Sequence, residues 1–207
     1  MLIFNKNILT IGGNRLEGGP LTPPTPPGPP VLPPNTVRVR TNDGNVPNKS
    51  MGASYETATL VSGTSDVYDV YKSGTDFKDF LSDSTNVVEV LGANTTDITI
   101  MRGMFSGCTS LSTVPLFDTS NATSMFAMFN GCTSLTNIPL FDTSKVSTMR
   151  NMFQNCYNVQ SGALALYQQA SSQANPPSNH SGTFRQCGRD TQTGSAELAQ
   201  IPSDWKE

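Results

Sequence analysis

The sequence has few of the residues from which most active sites are built. It contains one histidine, His180, only 14% of its residues are charged, and its formal net charge is −3. A Ser–His–Asp or Cys–His pair would therefore have to use His180, which we predict to be a structural residue in the last repeat. So sparse a charge gives no electrostatic footprint for nucleic acid. These absences predict a protein that is not an enzyme, has no cofactor and does not bind nucleic acid.

Long apolar runs are also missing. No segment approaches the ~20 apolar residues that a membrane-spanning helix requires. The first residues, "MLIFNKNILTIGG", lack the basic start and the small-residue cleavage site of a secretory signal peptide. We therefore expect no membrane association, no signal peptide, and assembly in a cytoplasm.

Cysteine is scarce, and its spacing argues against a metal site. The four cysteines, Cys108, Cys132, Cys156 and Cys187, are separated by 24, 24 and 31 residues. Zinc ligands usually come in pairs about two to four residues apart, so the sequence predicts no metal. We expect buried, reduced cysteines that act as small apolar core residues. A disulfide between neighbouring repeats is the alternative.

What the chain does contain is an internal repeat. The segment "MFNGC" at 128–132 returns as "MFQNC" at 152–156, and weaker copies lie at 77–94 and 183–187. A period of this size is typical of repeat architectures, in which stacked units bury a shared core. The predicted repeat core comprises Met101, Phe105, Cys108, Leu111, Met125, Phe129, Cys132, Leu135, Met149, Phe153, Cys156, Phe184 and Cys187.

Each repeat has two apparent halves. The apolar residues from Val146 to Cys156 fall on one stripe of a short amphipathic helix, and Asp142 precedes them as a candidate cap. The segment from Leu135 to Phe141 resembles a brief strand ended by Pro139. Asp118 and Asp142 are better explained as helix or turn caps than as a weak calcium site. The predicted fold class is α/β, a short leucine-rich-repeat solenoid of 24-residue strand–helix units.

The repeat resembles a known family. The pattern "MF..C.SL..(V/I)PLFDTS..(T/S)..M" over residues 74–160 is similar to the BspA-like leucine-rich repeats of surface proteins from gut and oral bacteria and of proteins from their bacteriophages. A wider similarity, through "VLGANTT", "NVQSGALALYQQASSQ" and "AELAQIPSDW", resembles phage-encoded proteins. The resemblance implies a solenoid used for surface display and adhesion, without enzymatic activity.

The chain outside the repeats suggests an arm attached to a folded tip. Residues 20–35 hold "PLTPPTPPGPPVLPP" and predict a semi-rigid polyproline II spacer, although a docking ligand for another protein is also possible. The alternation at 36–73 predicts small strands that cap the solenoid. The predicted organisation is an anchor peptide at 1–19, a Pro-rich linker at 20–35, a small β region at 36–73, the solenoid at 74–190 and a C-terminal cap at 191–207.

These features together predict a display protein. We expect a bacteriophage virion protein, a short head or tail fibre or decoration, that residues 1–35 anchor to other virion proteins. By analogy with such appendages, which are commonly trimeric, we expect a homo-oligomer. The alternative is a bacterial BspA-like adhesion or protein-interaction module. The anchor residues are Leu2, Ile3, Phe4, Ile8, Leu9 and Ile11. The candidate surface for a host glycan or protein comprises Thr113, Asn137, Asn175 and Asn179, the last two within the insertion at 169–182.

Overall fold

The computed structural model describes residues 31–49 and 53–207, and the backbone of 9–11 and 14–16. The chain divides into two compact units, Met1–Val31 and Leu32–Glu207. In the first unit, β1 (Leu9–Ile11) pairs antiparallel with β2 (Asn14–Leu16). Of the predicted anchor residues, Leu9 and Ile11 lie in β1, and Leu2, Ile3, Phe4 and Ile8 lie outside the described residues. Most of the Pro-rich linker, 20–30, lies outside them as well.

The second unit begins with a four-stranded antiparallel sheet. Its strands are β3 (Thr36–Thr41), β4 (Thr57–Leu60), β5 (Val67–Tyr71) and β6 (Val87–Asn94), in the order β4-β5-β3-β6. In β3, Val37 and Val39 are fully buried, and the alternating residues Arg38 and Arg40 are half-buried. This period of two is what a sheet with one face on a core requires.

The charged residues of the sheet pair across its strands. Arg38 donates two hydrogen bonds to Asp69 of β5, at 2.7 and 2.8 Å. Arg40 contacts Glu89 of β6 at 2.6 Å and Asp66 at 3.3 Å. Arg38 lies opposite Asp69, and Arg40 lies opposite Glu89, in adjacent strands, where unlike charges stabilise a sheet.

The strand β6 joins the sheet to the repeats. It comes from the degenerate first copy of the repeat rather than from 36–73, and it pairs with β3. On its other side, the backbone of Val90 donates to Thr113 at 3.0 Å, and that of Ser112 donates to Val88 at 2.9 Å. The edge of the sheet is therefore covered by the following repeat, which protects it from pairing with another chain.

Outside β6, the repeats consist mainly of turns and isolated bridges. Five turn segments recur, at 77–84, 101–108, 125–132, 149–156 and 180–187. Parallel bridges connect one segment to the next, from Asp76 to Ile100, Ser124, Thr148 and Asn179 in succession. We call residues 76–187 the repeat stack.

The predicted fold class, an α/β leucine-rich-repeat solenoid of strand–helix units, is wrong. Regular secondary structure in the second unit is the antiparallel sheet, two short α-helices and a 3-10 helix at Ser203–Trp205. Neither the predicted helix at 146–156 nor the predicted strand at 135–141 forms.

The helix fails because the backbone hydrogen bonds alternate between two kinds of acceptor. Met104 donates to Met101, three residues earlier, at 3.3 Å, whereas Phe105 donates to Met128 in the next segment at 2.8 Å. Left-handed residues recur at two positions of every turn segment and break any continuous helix. They are Asp79, Asp83, Gly103, Gly107, Ala127, Gly131, Asn151, Asn155, Gly182 and Gln186.

The C-terminal part of the chain covers the end of the repeat stack. Helix α1 (Ala163–Ser171) follows the left-handed Gly162. Helix α2 (Gln192–Gln200) has Thr191 as its N-cap, and the side chain of Thr191 accepts a hydrogen bond from the backbone of Gly194. Glu197 of α2 accepts a bond from the backbone of Leu164, at 3.1 Å, in the first turn of α1. A carboxylate at that end compensates the free N–H groups of the helix.

Candidate functional site

The predicted repeat-core residues form the interior of the repeat stack. All thirteen are at most 1% exposed. The rings of Phe105, Phe129, Phe153 and Phe184 stack along it, with successive centroids 5.3, 5.2 and 6.1 Å apart, and Trp205 ends the row at 6.1 Å. Offset stacks at these distances are favourable beyond the area that they bury.

The cysteines take the same place in each turn segment. The thiols of Cys108, Cys132 and Cys156 donate to main-chain carbonyls 27 residues earlier, at 3.0–3.1 Å. Burial raises the pKa of Cys108 to about 12 and raises the pKa of Cys132 and Cys156 well above the ordinary value. A thiol that stays protonated is a poor nucleophile and a poor metal ligand.

Asp118 and Asp142 act as turn caps. Asp118 accepts a hydrogen bond from the backbone of Ser120 at 2.9 Å, and Asp142 accepts one from Ser144 at 2.8 Å. These backbone bonds are the largest of the effects that lower the pKa of the two carboxyl groups. Both therefore carry a negative charge at neutral pH.

The four predicted binding residues are exposed but fall into two separate pairs. Thr113 and Asn137 are equivalent residues one repeat apart, and Asn137 accepts a bond from Ser161 at 2.7 Å. Asn175 and Asn179 lie in the insertion, where Asn175 lines a shallow cavity of about 210 Å³ with Lys145 and Ser147 among others. Within the described part of the chain, no hydrogen bond joins the two pairs.

His180 serves the C-terminal end of the stack. Its ring stacks on Trp205 with centroids 4.3 Å apart, and its nitrogens lie 2.9 Å from the carbonyl of Pro177 and 3.2 Å from Asp204. Every polar atom of the ring thus has a structural neighbour.

One exposed feature was missed from the sequence. Leu116 and Leu140, equivalent residues one repeat apart, are 64% and 50% exposed. They line a groove of about 350 Å³ together with Phe117, Asp118, Thr119, Ser120 and Asp142. We call it the leucine groove. The available signal was alternation in "PLFDTS", because a leucine beside an inward phenylalanine in extended chain faces outward.

The described residues contain neither a metal-binding group nor a membrane-spanning helix. No cluster of three or more His, Cys, Asp or Glu side chains is placed to hold a metal ion. No helix among them is long and apolar enough to cross a membrane.

Comparison with known proteins gives one match. The family model described as "Mycoplasma protein of unknown function, DUF285" matches residues 66–186, more than half of the 207-residue chain. The match starts at the edge of β5 and includes β6 and all of the stack as far as Gln186. Searches of curated proteins and of solved structures find no significant match.

Proposed function

Because the chain belongs to the DUF285 family and repeats one exposed surface along its stack, we propose that it is a non-enzymatic display protein. The proposal places it on a bacteriophage particle, as a short fibre or decoration that touches the host surface. The observation that carries it is the leucine groove, in which Leu116 and Leu140 recur in equivalent, exposed places.

Exposed apolar side chains that form a contiguous patch mark a surface where another molecule binds. In the leucine groove, the two side chains lie beside Asp118 and Asp142, so an apolar patch has a charged rim. That arrangement is common to protein interaction surfaces. Because the groove is small, we expect weak binding by one copy and useful binding by many copies on one particle, where multivalency raises apparent affinity by ~10²–10⁴.

The phage assignment is supported by the resemblance of the flanking segments to phage-encoded proteins. In this proposal, residues 1–35 attach the chain to other virion proteins, and the chain assembles as a homo-oligomer, by analogy a trimer. The boundary between the two compact units at Val31 is where such an arm would end.

The first experiment is a test of location. Mass spectrometry of purified particles should find the protein at a fixed ratio to the major capsid protein. A chain that lacks residues 1–19 should fold but should be absent from purified particles. If the truncated chain were still incorporated, attachment through the arm would be wrong.

A second experiment tests the leucine groove. Particles that carry Leu116→Ser and Leu140→Ser should adsorb to host cells more slowly than the wild type. The matched control is Leu60→Ser, because Leu60 is 47% exposed on β4 and lies outside the groove. Normal adsorption by particles that lack the protein altogether would remove the host-binding role and leave a structural decoration.

The family description names Mycoplasma and favours one other candidate, a bacterial surface adhesion or protein-interaction module. A bacterial module would be found on producing cells without infection, and at no fixed ratio to virion proteins. Surface labelling of uninfected cells separates the two.

A further inference from the structure

Three turn segments of the repeat stack carry arginine and no acidic residue. They are the segments at 101–108, 149–156 and 180–187, and the segment at 125–132 contains no charged residue. The protein as a whole has a net charge of −3. Acidic residues return only at the first segment, 77–84, where Asp79 and Asp83 occur. The acidic residues of the turn segments are therefore confined to the first segment, and the arginines of the later segments attract ligands of the opposite sign.

Four exposed or partly exposed side chains occupy equivalent places in successive segments, beginning with Lys78 in the first segment. Arg102, Phe126 and Arg150 follow it at intervals of 24 residues. Successive segments are joined by main-chain hydrogen bonds, such as that from Gly103 to Phe126 at 2.9 Å. Strands joined in this way lie about 4.8 Å apart, so about 10 Å separates the two arginines along the stack. We call Arg102, Phe126 and Arg150 the Arg–Phe–Arg column.

Both arginines of the column are available to a ligand. They are exposed, and within the part of the chain that the structure describes neither side chain makes an ion pair or a hydrogen bond. This distinguishes them from Arg38 and Arg40, which are paired across the sheet. Unpaired guanidinium groups have all their donors free for a carboxylate, which they bind in a two-bond fork.

Phe126 holds one of the arginines in place and is itself partly exposed. The guanidinium carbon of Arg102 lies 4.9 Å from the centroid of the Phe126 ring. A cation held over an aromatic ring loses less freedom on binding a ligand than a free one. The exposed part of the ring between the two arginines is apolar and fits the apolar face of a sugar.

We propose that the Arg–Phe–Arg column binds a linear acidic polysaccharide in which charged and neutral sugars alternate. One sugar ring adds about 5 Å to the length of such a polysaccharide, which is close to the distance between successive turn segments of the stack. Carboxylates on alternate sugars therefore face Arg102 and Arg150, and the neutral sugar between them faces Phe126.

The column favours this ligand over other polyanions. An extended acidic peptide presents same-side carboxylates about 6.8 Å apart, which matches neither one nor two repeats. Nucleic-acid sites neutralise more phosphates, about 6–10 for a typical duplex binder. The inference depends on the proposed function only for its setting, a host surface.

The test uses hyaluronan octasaccharide, in which carboxylated and neutral sugars alternate, and the full chain. We expect calorimetry to show binding that weakens as salt rises, and no binding of a neutral dextran octasaccharide. The double variant Arg102→Gln/Arg150→Gln should lose at least tenfold in affinity, and Phe126→Leu should lose severalfold. Arg102→Lys should lose less affinity than Arg102→Gln, because lysine keeps the charge. Each variant is checked for an unchanged Tm.

Arg189→Gln is the matched control. Arg189 also stacks on an aromatic ring, that of Tyr157 at 4.0 Å, but it is paired with Asp190 and lies outside the column. Its substitution should change affinity by less than twofold.

Three results would overturn the inference: no binding of hyaluronan, undiminished binding by the double variant, or equal binding of polyglutamate or single-stranded DNA. The proposed function is judged separately, by adsorption of particles that lack the protein. Hyaluronan binding with normal adsorption would retain the column and reject the host-binding role.

Discussion

The sheet and the repeat stack solve the same problem in different ways. In the sheet, the two inner strands, β5 and β3, are each hydrogen-bonded to a strand on both sides. Charged residues such as Arg38 and Asp69 pair between neighbouring strands. In the repeat stack, every second N–H bonds within its own turn and the next one bonds to the following segment. No turn segment has regular structure of its own. Because each segment depends on its neighbours, damage to one core residue of the stack should spread further than damage in the sheet.

The largest expected effect comes from the aromatic row. Phe129 stacks on Phe105, Phe153 and Phe141 at 5.2–5.9 Å, so Phe129→Ala removes contacts to three rings and should cost ~3–5 kcal/mol. Val70→Ala, in the buried part of β5, should cost less, since a buried valine contributes ~1.5–3 kcal/mol in full. Urea unfolding measures both. Equal losses would mean that the stack is no more interdependent than the sheet.

The next effect tests a close backbone approach inside the stack. Gly162 has φ +98°, and a Cβ there would overlap the main-chain carbonyl of Ile138. We expect Gly162→Ala to cost ~2–4 kcal/mol from a strained backbone and a displaced chain. At Gly131, φ is +73° but the nearest atoms are 3.8 Å away, so Gly131→Ala should cost only ~1–2 kcal/mol. Thermal unfolding compares them, and a reversed order would contradict the geometry.

Alkaline pH should weaken the repeat stack through its buried cysteines. The buried thiols have raised folded-state pKa values, so their contribution is complete below the unfolded pKa of ~8.5 and declines as pH rises toward the folded value. Each thiol contributes a slope of ~1.4 kcal/mol per pH unit in this window.

In Cys132→Ala, the unfolding free energy should therefore fall less steeply with pH between about pH 9 and pH 11. The slope should be smaller by the contribution of one thiol, ~1.4 kcal/mol per pH unit. Denaturant titrations across this range give the measurement. An unchanged slope would show that Cys132 does not remain protonated in the folded protein.

The smallest effect should differ in sign between the two regions. Ala127 has φ +52° in its turn segment, so Ala127→Gly should stabilise by up to ~1 kcal/mol despite the freedom that glycine gives the unfolded chain. Ala58 lies in β4, where Ala58→Gly should destabilise by ~0.5–1 kcal/mol. Differential scanning calorimetry resolves both shifts in Tm. Destabilisation in both regions would mean that Ala127 is not strained.

The repeat and its inward residues could be read from the sequence because spacing alone reveals them. Phe105, Phe129 and Phe153 recur every 24 residues, and identical spacing places identical residues at equivalent positions in successive levels of a stack. The strands β3, β4 and β5 were predictable for a similar reason, since alternation of apolar and polar residues has one simple structural meaning.

The conformation of each repeat could not be read in the same way. Met125, Met128, Phe129 and Cys132 have helical spacing, and a run of turns with left-handed residues at Ala127 and Gly131 places the same side chains inward. Apolar spacing records which side chains face the core, and two different backbones share that spacing.

The candidate binding surfaces also depend partly on the sequence and partly on the tertiary structure. The sequence by itself determined the period, the buried row and the scarcity of charge. Only the tertiary structure decided that Leu116 and Leu140 share one groove, and that Arg102 and Arg150 remain unpaired on either side of Phe126. The reason is physical: the hydrogen bonds that join the segments run between residues a whole repeat apart, so the period shows which residues are equivalent, and only the folded stack shows which of them stay exposed and unpaired.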